Sequence, residues 1–455
     1  MEENGQKTKL TNENIDKNSQ HPIVNSINHA LHSYRDIEAI SRLLYRALIV
    51  MQQNMWDASL IELKKASTIK DPDGIEYFSN EMPASSDEAL LLIERLKESN
   101  LPSTLLTSLF LGLFSSFDAF TGNLLKSIYQ KKPELLDTLN IEVPLSEILK
   151  YESFEDLKES VLNQEIEKFR RKSYVEQFEH LERQFGINLK KFQNWSHFVE
   201  MGQRRNLITH CEGIVSKQYI KICNENKFEL DSEIIEGKKL NIDYEYFTIA
   251  CSLIYEVSLK LGQTLWRKIF PDENDEANEH LSQPIYESLR FERYDRAILL
   301  SEFAISVENK IKDLDRRIRV INYGIALKFS GNTEKCLEIL DKEDWSACAL
   351  DFRLAVSVLK NNFEEACKIM LQIGETGELI KKQSYHVWPL FREFRKSNMF
   401  FESYKTVYGN SFSEDVSEEV NKTEKPKSFE EPENQLDTGA GENLPPFELI
   451  KHFIG

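Results

Sequence analysis

From Leu105 to Tyr129 the chain keeps helical spacing with no proline, and as far as Phe120 its apolar residues fall nearly all round the helix. A helix that is apolar on every side must be covered on every side. This segment alone commits the chain to a bundle around a buried central helix, and the flanking sequence supplies the covering helices. Between Pro22 and Thr68, Ile37, Ile40, Leu43, Leu44 and Leu48 recur at helical intervals. A helix follows Ser85 as far as about Ser99, and Asn100-Leu101-Pro102-Ser103 punctuates it, with Ser103 as the expected N-cap of the next. Residues 155–183 read as one charged helix closed by Gly186. Trp195 to His210, followed by Gly213, and Tyr244 to Ile269, closed by Pro271, read as two more. Asp71-Pro72-Asp73-Gly74 is a turn signal. Tyr219 to Phe228 is the single candidate strand. The expected fold class is all-α.

After an acidic stretch at 272–279, expected as a linker, three segments resemble one another: Tyr294-Asp295-Arg296-Ala297, Thr333-Glu334-Lys335-Cys336 and Phe363-Glu364-Glu365-Ala366. Each follows a helix and a polar turn and opens another helix, and a weaker copy lies near Phe400 to Ser403. Helical hairpins at such spacing resemble a degenerate tetratricopeptide-type array, which stacks because one hairpin cannot bury its own apolar face. An ordinary helical bundle is the other reading. The expected organisation is a disordered polar start (1–20), N-terminal helices that cap or join a bundle (21–100), the main bundle (101–270), helical repeats (280–410) and an acidic disordered tail with a short apolar end (411–455).

The net charge is −18, which argues against a polybasic nucleic-acid coat and leaves room for a small local basic site. Residues 411–455 carry 11 acidic against 4 basic side chains, so the remainder is less acidic than the whole. Six cysteines without a C-x-x-C pair read as reduced thiols of a cytoplasmic protein. The start of the chain has no apolar signal core. The most apolar stretch, Leu105 to Phe117, is shorter than the ~20 residues that span a bilayer, so no membrane partner is expected. Walker, dinucleotide-binding, zinc-protease and hydrolase-elbow motifs are missing, and no metal or cofactor is expected. His29 and His32 have no third ligand beside them.

The most informative segment is Gln203-Arg204-Arg205-Asn206-Leu207-Ile208-Thr209-His210, which reads Arg-Asn-x-x-x-His. It resembles the signature of HEPN (higher eukaryotes and prokaryotes nucleotide-binding) domains. Upstream, Ser115-Ser116-Phe117-Asp118-Ala119-Phe120 and Lys172-Ser173-Tyr174-Val175-Glu176-Gln177 resemble the family's earlier helices, and Gly213-Ile214-Val215-Ser216 is similar to its continuation. The resemblance covers about 100–265. It implies a HEPN-type helical bundle that pairs as a homodimer and cleaves single-stranded RNA without a metal, in a toxin or phage-defence setting. Arg205 would contact the phosphate, His210 would act as acid/base, and Asn206 would orient the histidine or bind phosphate.

Those residue types suit that chemistry. Attack of a 2′-OH on the neighbouring phosphorus needs one proton removed and another supplied, which a histidine can do near neutral pH. A guanidinium fork matches the charge that grows on the phosphoryl oxygens. Asp118 and Arg204 are supporting candidates, and the run Lys168, Arg170, Arg171, Lys172 is a candidate RNA path. On a regular helix Arg205 and His210 point ~140° apart, so either the helix ends or bends there or a second copy completes the site. The competing function is a non-catalytic scaffold that dimerises and binds a protein partner through the helical array.

Overall fold

A computed structural model describes residues 21–70, 76–78, 84–139, 141–307 and 311–413. It is all-α. The described strands are β1 (Thr68–Lys70) and β2 (Glu76–Phe78), antiparallel with Ile69 opposite Tyr77. The Asp71–Gly74 turn, the expected disordered start and nearly all of the acidic tail lie outside the described residues.

The central helix is α3 (Leu101–Lys131), longer than its apolar stretch suggested. Its start is also earlier: Asn100 takes the N-cap position and Pro102 sits in the first turn, where a missing N–H costs nothing. With the later part of α2 (Ala84–Glu98) it makes a stretch, Leu90–Lys131, long and apolar enough by length and composition to cross a membrane. The protein core uses that apolarity, since Phe110, Leu113, Phe114 and Phe117 are all fully buried.

Helix α1 (Pro22–Ser67) packs along α3 through Ile23, Val24, Ile27, Leu31 and Tyr34. It is therefore a wall of the bundle. After the short α4 (Leu145–Ile148), further walls are α5 (Phe154–Arg170), α6 (Tyr174–Phe185), α7 (Trp195–Cys211) and α9 (Tyr244–Ile269). The expected single helix over 155–183 is broken at 171–173. Ser173 begins a new helix by accepting from the Glu176 N–H while the Glu176 carboxylate accepts from the Ser173 N–H. The expected strand at 219–228 is largely helix α8 (Lys217–Glu225), capped by the Ser216 hydroxyl.

Residues 272–279 are not a linker. They form a turn and the start of α10 (Asn274–Arg290), where Ala277 and Leu281 face the core and Asp275, Glu276 and Glu279 face out, while Glu273 in the turn accepts from Trp266 Nε1 at 2.6 Å and pairs with Lys131. The same core continues to Leu300 and Ala304 of α11 (Tyr294–Ser306), followed by α12 (Asp313–Phe329). The chain divides into two compact units between Cys336 and Leu337, inside α13 (Thr333–Asp341). In the second unit α14 (Leu350–Leu359) pairs with α15 (Phe363–Ile373), which packs on α16 (Asn398–Tyr408). All three repeat-like segments open helices, and Ala297, Cys336 and Ala366 are fully buried.

Candidate functional site

Helix α7 carries the motif. Its inner face is anchored among aromatic rings: Phe198 packs against Phe117, Tyr174 and Phe178, with centroids 5.3–5.6 Å away. Gly202 lets α6 approach closely, because a Cβ there would lie 2.6 Å from the Tyr174 ring. That approach places the Tyr174 hydroxyl where it donates to Asp118 Oδ1 at 2.8 Å. The other carboxylate oxygen faces Arg205 Nη2 at 3.2 Å, and Arg205 Nη1 donates to Asn206 Oδ1 at 3.1 Å. The result is a chain Tyr174–Asp118–Arg205–Asn206 drawn from three helices.

Burial pushes the Asp118 carboxyl above its ordinary value, while the Tyr174 bond and the Arg205 and Arg170 charges pull the other way. Burial and the nearby Asp118 charge raise the Tyr174 hydroxyl well above its usual range, so it stays protonated and serves as a donor.

These groups border a cleft of about 510 Å³. It collects Asp118, Arg170, Arg171, Lys172, Arg205, Asn206 and His210, with Ser173, Tyr174, Gln177, Gln203, Gln218 and Tyr219 also in its lining. Arg170, Arg171, Lys172 and Arg205 thus share the lining with a single carboxylate, and although Arg170 also pairs with Glu167 outside the lining at 2.8 Å, positive charge is in local excess on an acidic protein. The α5–α6 break explains how the basic run arrives there. Arg171 caps the end of α5 and Ser173 starts α6, so the turn between them presents its side chains to α7.

Helix α7 is unbroken through Cys211, yet Arg205 and His210 both line the cleft. A groove lying along a helix can receive side chains from roughly 70° on either side of its midline, which spans their separation. His210 is exposed in the last turn. Beyond it Glu212 and Gly213 take left-handed conformations, and Gly213 passes so close to the Leu240 carbonyl that a Cβ would sit 2.7 Å from it.

Two expected site residues lie elsewhere. Arg204 turns away from the cleft. It donates to Glu200 Oε1 at 2.7 Å and stacks on the Tyr246 ring at 4.0 Å. Glu200 is 1% exposed and also accepts from the Tyr219 and Tyr246 hydroxyls at 2.6 and 2.7 Å. Lys168 pairs with Glu165 and lines a different cavity. Sequence reasoning missed the role of Tyr174, although Ser173-Tyr174-Val175-Glu176 carries the capping-box signal that starts its helix.

Among the described residues no group of three or more His, Cys, Asp or Glu side chains is placed to hold a metal ion, and no disulfide forms. His280 is buried between Gln263 and Asn28, and burial takes it down to about 4, as fits a structural imidazole. Comparison with protein-family models, curated proteins and solved structures finds no match for this chain.

Proposed function

We propose that the chain is a metal-independent endoribonuclease of the HEPN type, acting on single-stranded RNA in the cytoplasm as a toxin or phage-defence effector. The observation that supports this most is the convergence of Arg205, Asn206, His210, Asp118 and the 170–172 basic turn on one cleft. In this reading a phosphate lies against Arg205, whose guanidinium is held by Asp118 and, through it, by Tyr174. His210 takes the 2′-OH proton as the 2′ oxygen attacks phosphorus. The 5′ oxygen leaves with a proton from water or from the histidine of a second copy, in keeping with the homodimer the resemblance implies. The products are a 2′,3′-cyclic phosphate and a 5′-OH.

The test is cleavage of single-stranded RNA in EDTA by wild type and His210→Ala, with analysis of the 3′ ends. Wild type leaves cyclic phosphate, and the variant is slower by roughly 10²–10⁴-fold, the range for loss of an acid/base group. Equal cleavage by both proteins would sink the assignment.

A second reading, a scaffold for a protein partner, has its own observation. Beyond Glu38, α1 leaves Leu43 72%, Val50 58% and Ile61 52% exposed, an apolar surface suited to a protein contact. Absence of cleavage together with a stoichiometric protein complex would favour it.

A further inference from the structure

A second cavity, of about 420 Å³, lies between α3, α5 and α6, within the size range of ligand sites. Its lining includes apolar Leu125, Ile166 and Phe169 and the cations Lys168, Lys172 and Arg183, with Glu165 as the acidic member. Lys172 lines this cavity and the motif cleft alike, so the α5–α6 turn borders both.

An apolar wall suits a nucleobase, and cations beside it suit the phosphates on either side of that base. A free anion would leave the apolar wall unused, and an apolar ligand would leave the cations unused. His180 adds a polar contact. It lies 3.4 Å from Lys172 Nζ, and burial with the Lys172 and Arg183 charges holds it below its ordinary value. It is therefore neutral near pH 7, with its Nδ1 facing the Lys172 ammonium.

We infer that this cavity is a nucleotide subsite on the same RNA path, holding the base of a third nucleotide that adjoins the dinucleotide step bound in the motif cleft, with Lys172 on the phosphate between them. The inference rests on the ribonuclease reading and adds a length requirement to it: RNA longer than a dinucleotide binds more tightly because it fills both cavities.

Fluorescence anisotropy at low salt with 2′-O-methyl RNA, which cannot be cleaved, tests this. The probes are a dinucleotide and a tetranucleotide. Wild type is expected to bind the tetranucleotide about tenfold more tightly, the scale of one additional bound base. In a Lys168→Gln/Arg183→Gln variant, both changes being at exposed positions, the two probes bind within about twofold of each other, beyond the loss each added charge gives. Retention of the full gain by that variant overturns the subsite. If wild type binds both probes equally and Arg205→Ala abolishes binding, the subsite falls and the cleft reading stands. If wild type binds neither probe, both fall.

Discussion

Helix α7 carries two carboxylate–arginine–tyrosine clusters built from adjacent arginines. Arg204 joins Glu200, Tyr219 and Tyr246; Arg205 joins Asp118 and Tyr174. The chemical parts are the same and the surroundings differ. In the first cluster the side chains are 11% exposed for arginine and 1% for carboxylate, in the second 27% and 18%. The Glu200 carboxylate is fully committed, with Arg204 on one oxygen and hydroxyls on both. Arg205 borders an open cleft, where a guanidinium can reach a ligand without breaking the contacts that orient it. One cluster holds α7, α8 and α9 together; the other presents a charge.

The sharpest way to break this comparison is to remove each carboxylate. Glu200→Ala leaves a buried guanidinium without its counter-charge and two hydroxyls without their acceptor. Loss of one partner from a buried ion pair costs about 3–5 kcal/mol, so urea unfolding should show a loss of that size. Asp118→Ala should cost about 1–2 kcal/mol, because Arg205 can turn to water in the cleft. Equal costs would mean that the two clusters are alike and that the cleft is not an open site.

The two arginines also mark how far the sequence could be read. The helices with strong periodicity or clear stops were legible: α9 runs from Tyr244 to Ile269 as expected, and Gly186 and Gly213 end helices where they were expected to. The motif residues Arg205, Asn206 and His210 and the acid Asp118 were legible as a set. The resemblance singled out Arg205 for the phosphate, but that Arg204 turns away from the cleft was not legible, since it depends on Glu200, Tyr219 and Tyr246 meeting in three dimensions. Tyr219, Ile220 and Ile222 favour strands by type, but the Ser216 cap and burial of Tyr219 and Cys223 on one face make a helix. The basic run looked uniform in sequence. Lys168 and Arg170 both end α5 and pair with Glu165 and Glu167, yet Arg170, Arg171 and Lys172 border the cleft while Lys168 lines the other cavity.

A finer test concerns Tyr174, which touches no substrate in the proposed reaction and acts as a positioning residue through Asp118. Tyr174→Phe keeps the ring that packs on Gly202 and Phe198 and removes only the donor to Asp118. A hydrogen bond to a charged group contributes on the order of 1.5 kcal/mol. The expected outcome is a fall of about tenfold in kcat with little change in KM, beside a stability loss of about 1.5 kcal/mol. A purely structural tyrosine would show the stability loss and leave kcat within about twofold, which would remove Tyr174 from the site.

The smallest effect is the dependence of stability on pH. The Asp118 carboxyl titrates above its ordinary value of 3.8 in the folded protein because burial disfavours its charge. Between that ordinary value and the raised one, the folded state keeps a proton that the unfolded chain has released. Stability therefore falls as pH rises through this window and levels off above it. Asp118→Asn has no such proton to lose. Wild type should lose stability relative to this variant as pH climbs from 3.8, measured by urea unfolding at closely spaced pH values. A constant difference across the window would mean that the cleft hydrates Asp118 as well as bulk water does, and the partial burial that separates its cluster from an ordinary surface ion pair would be gone.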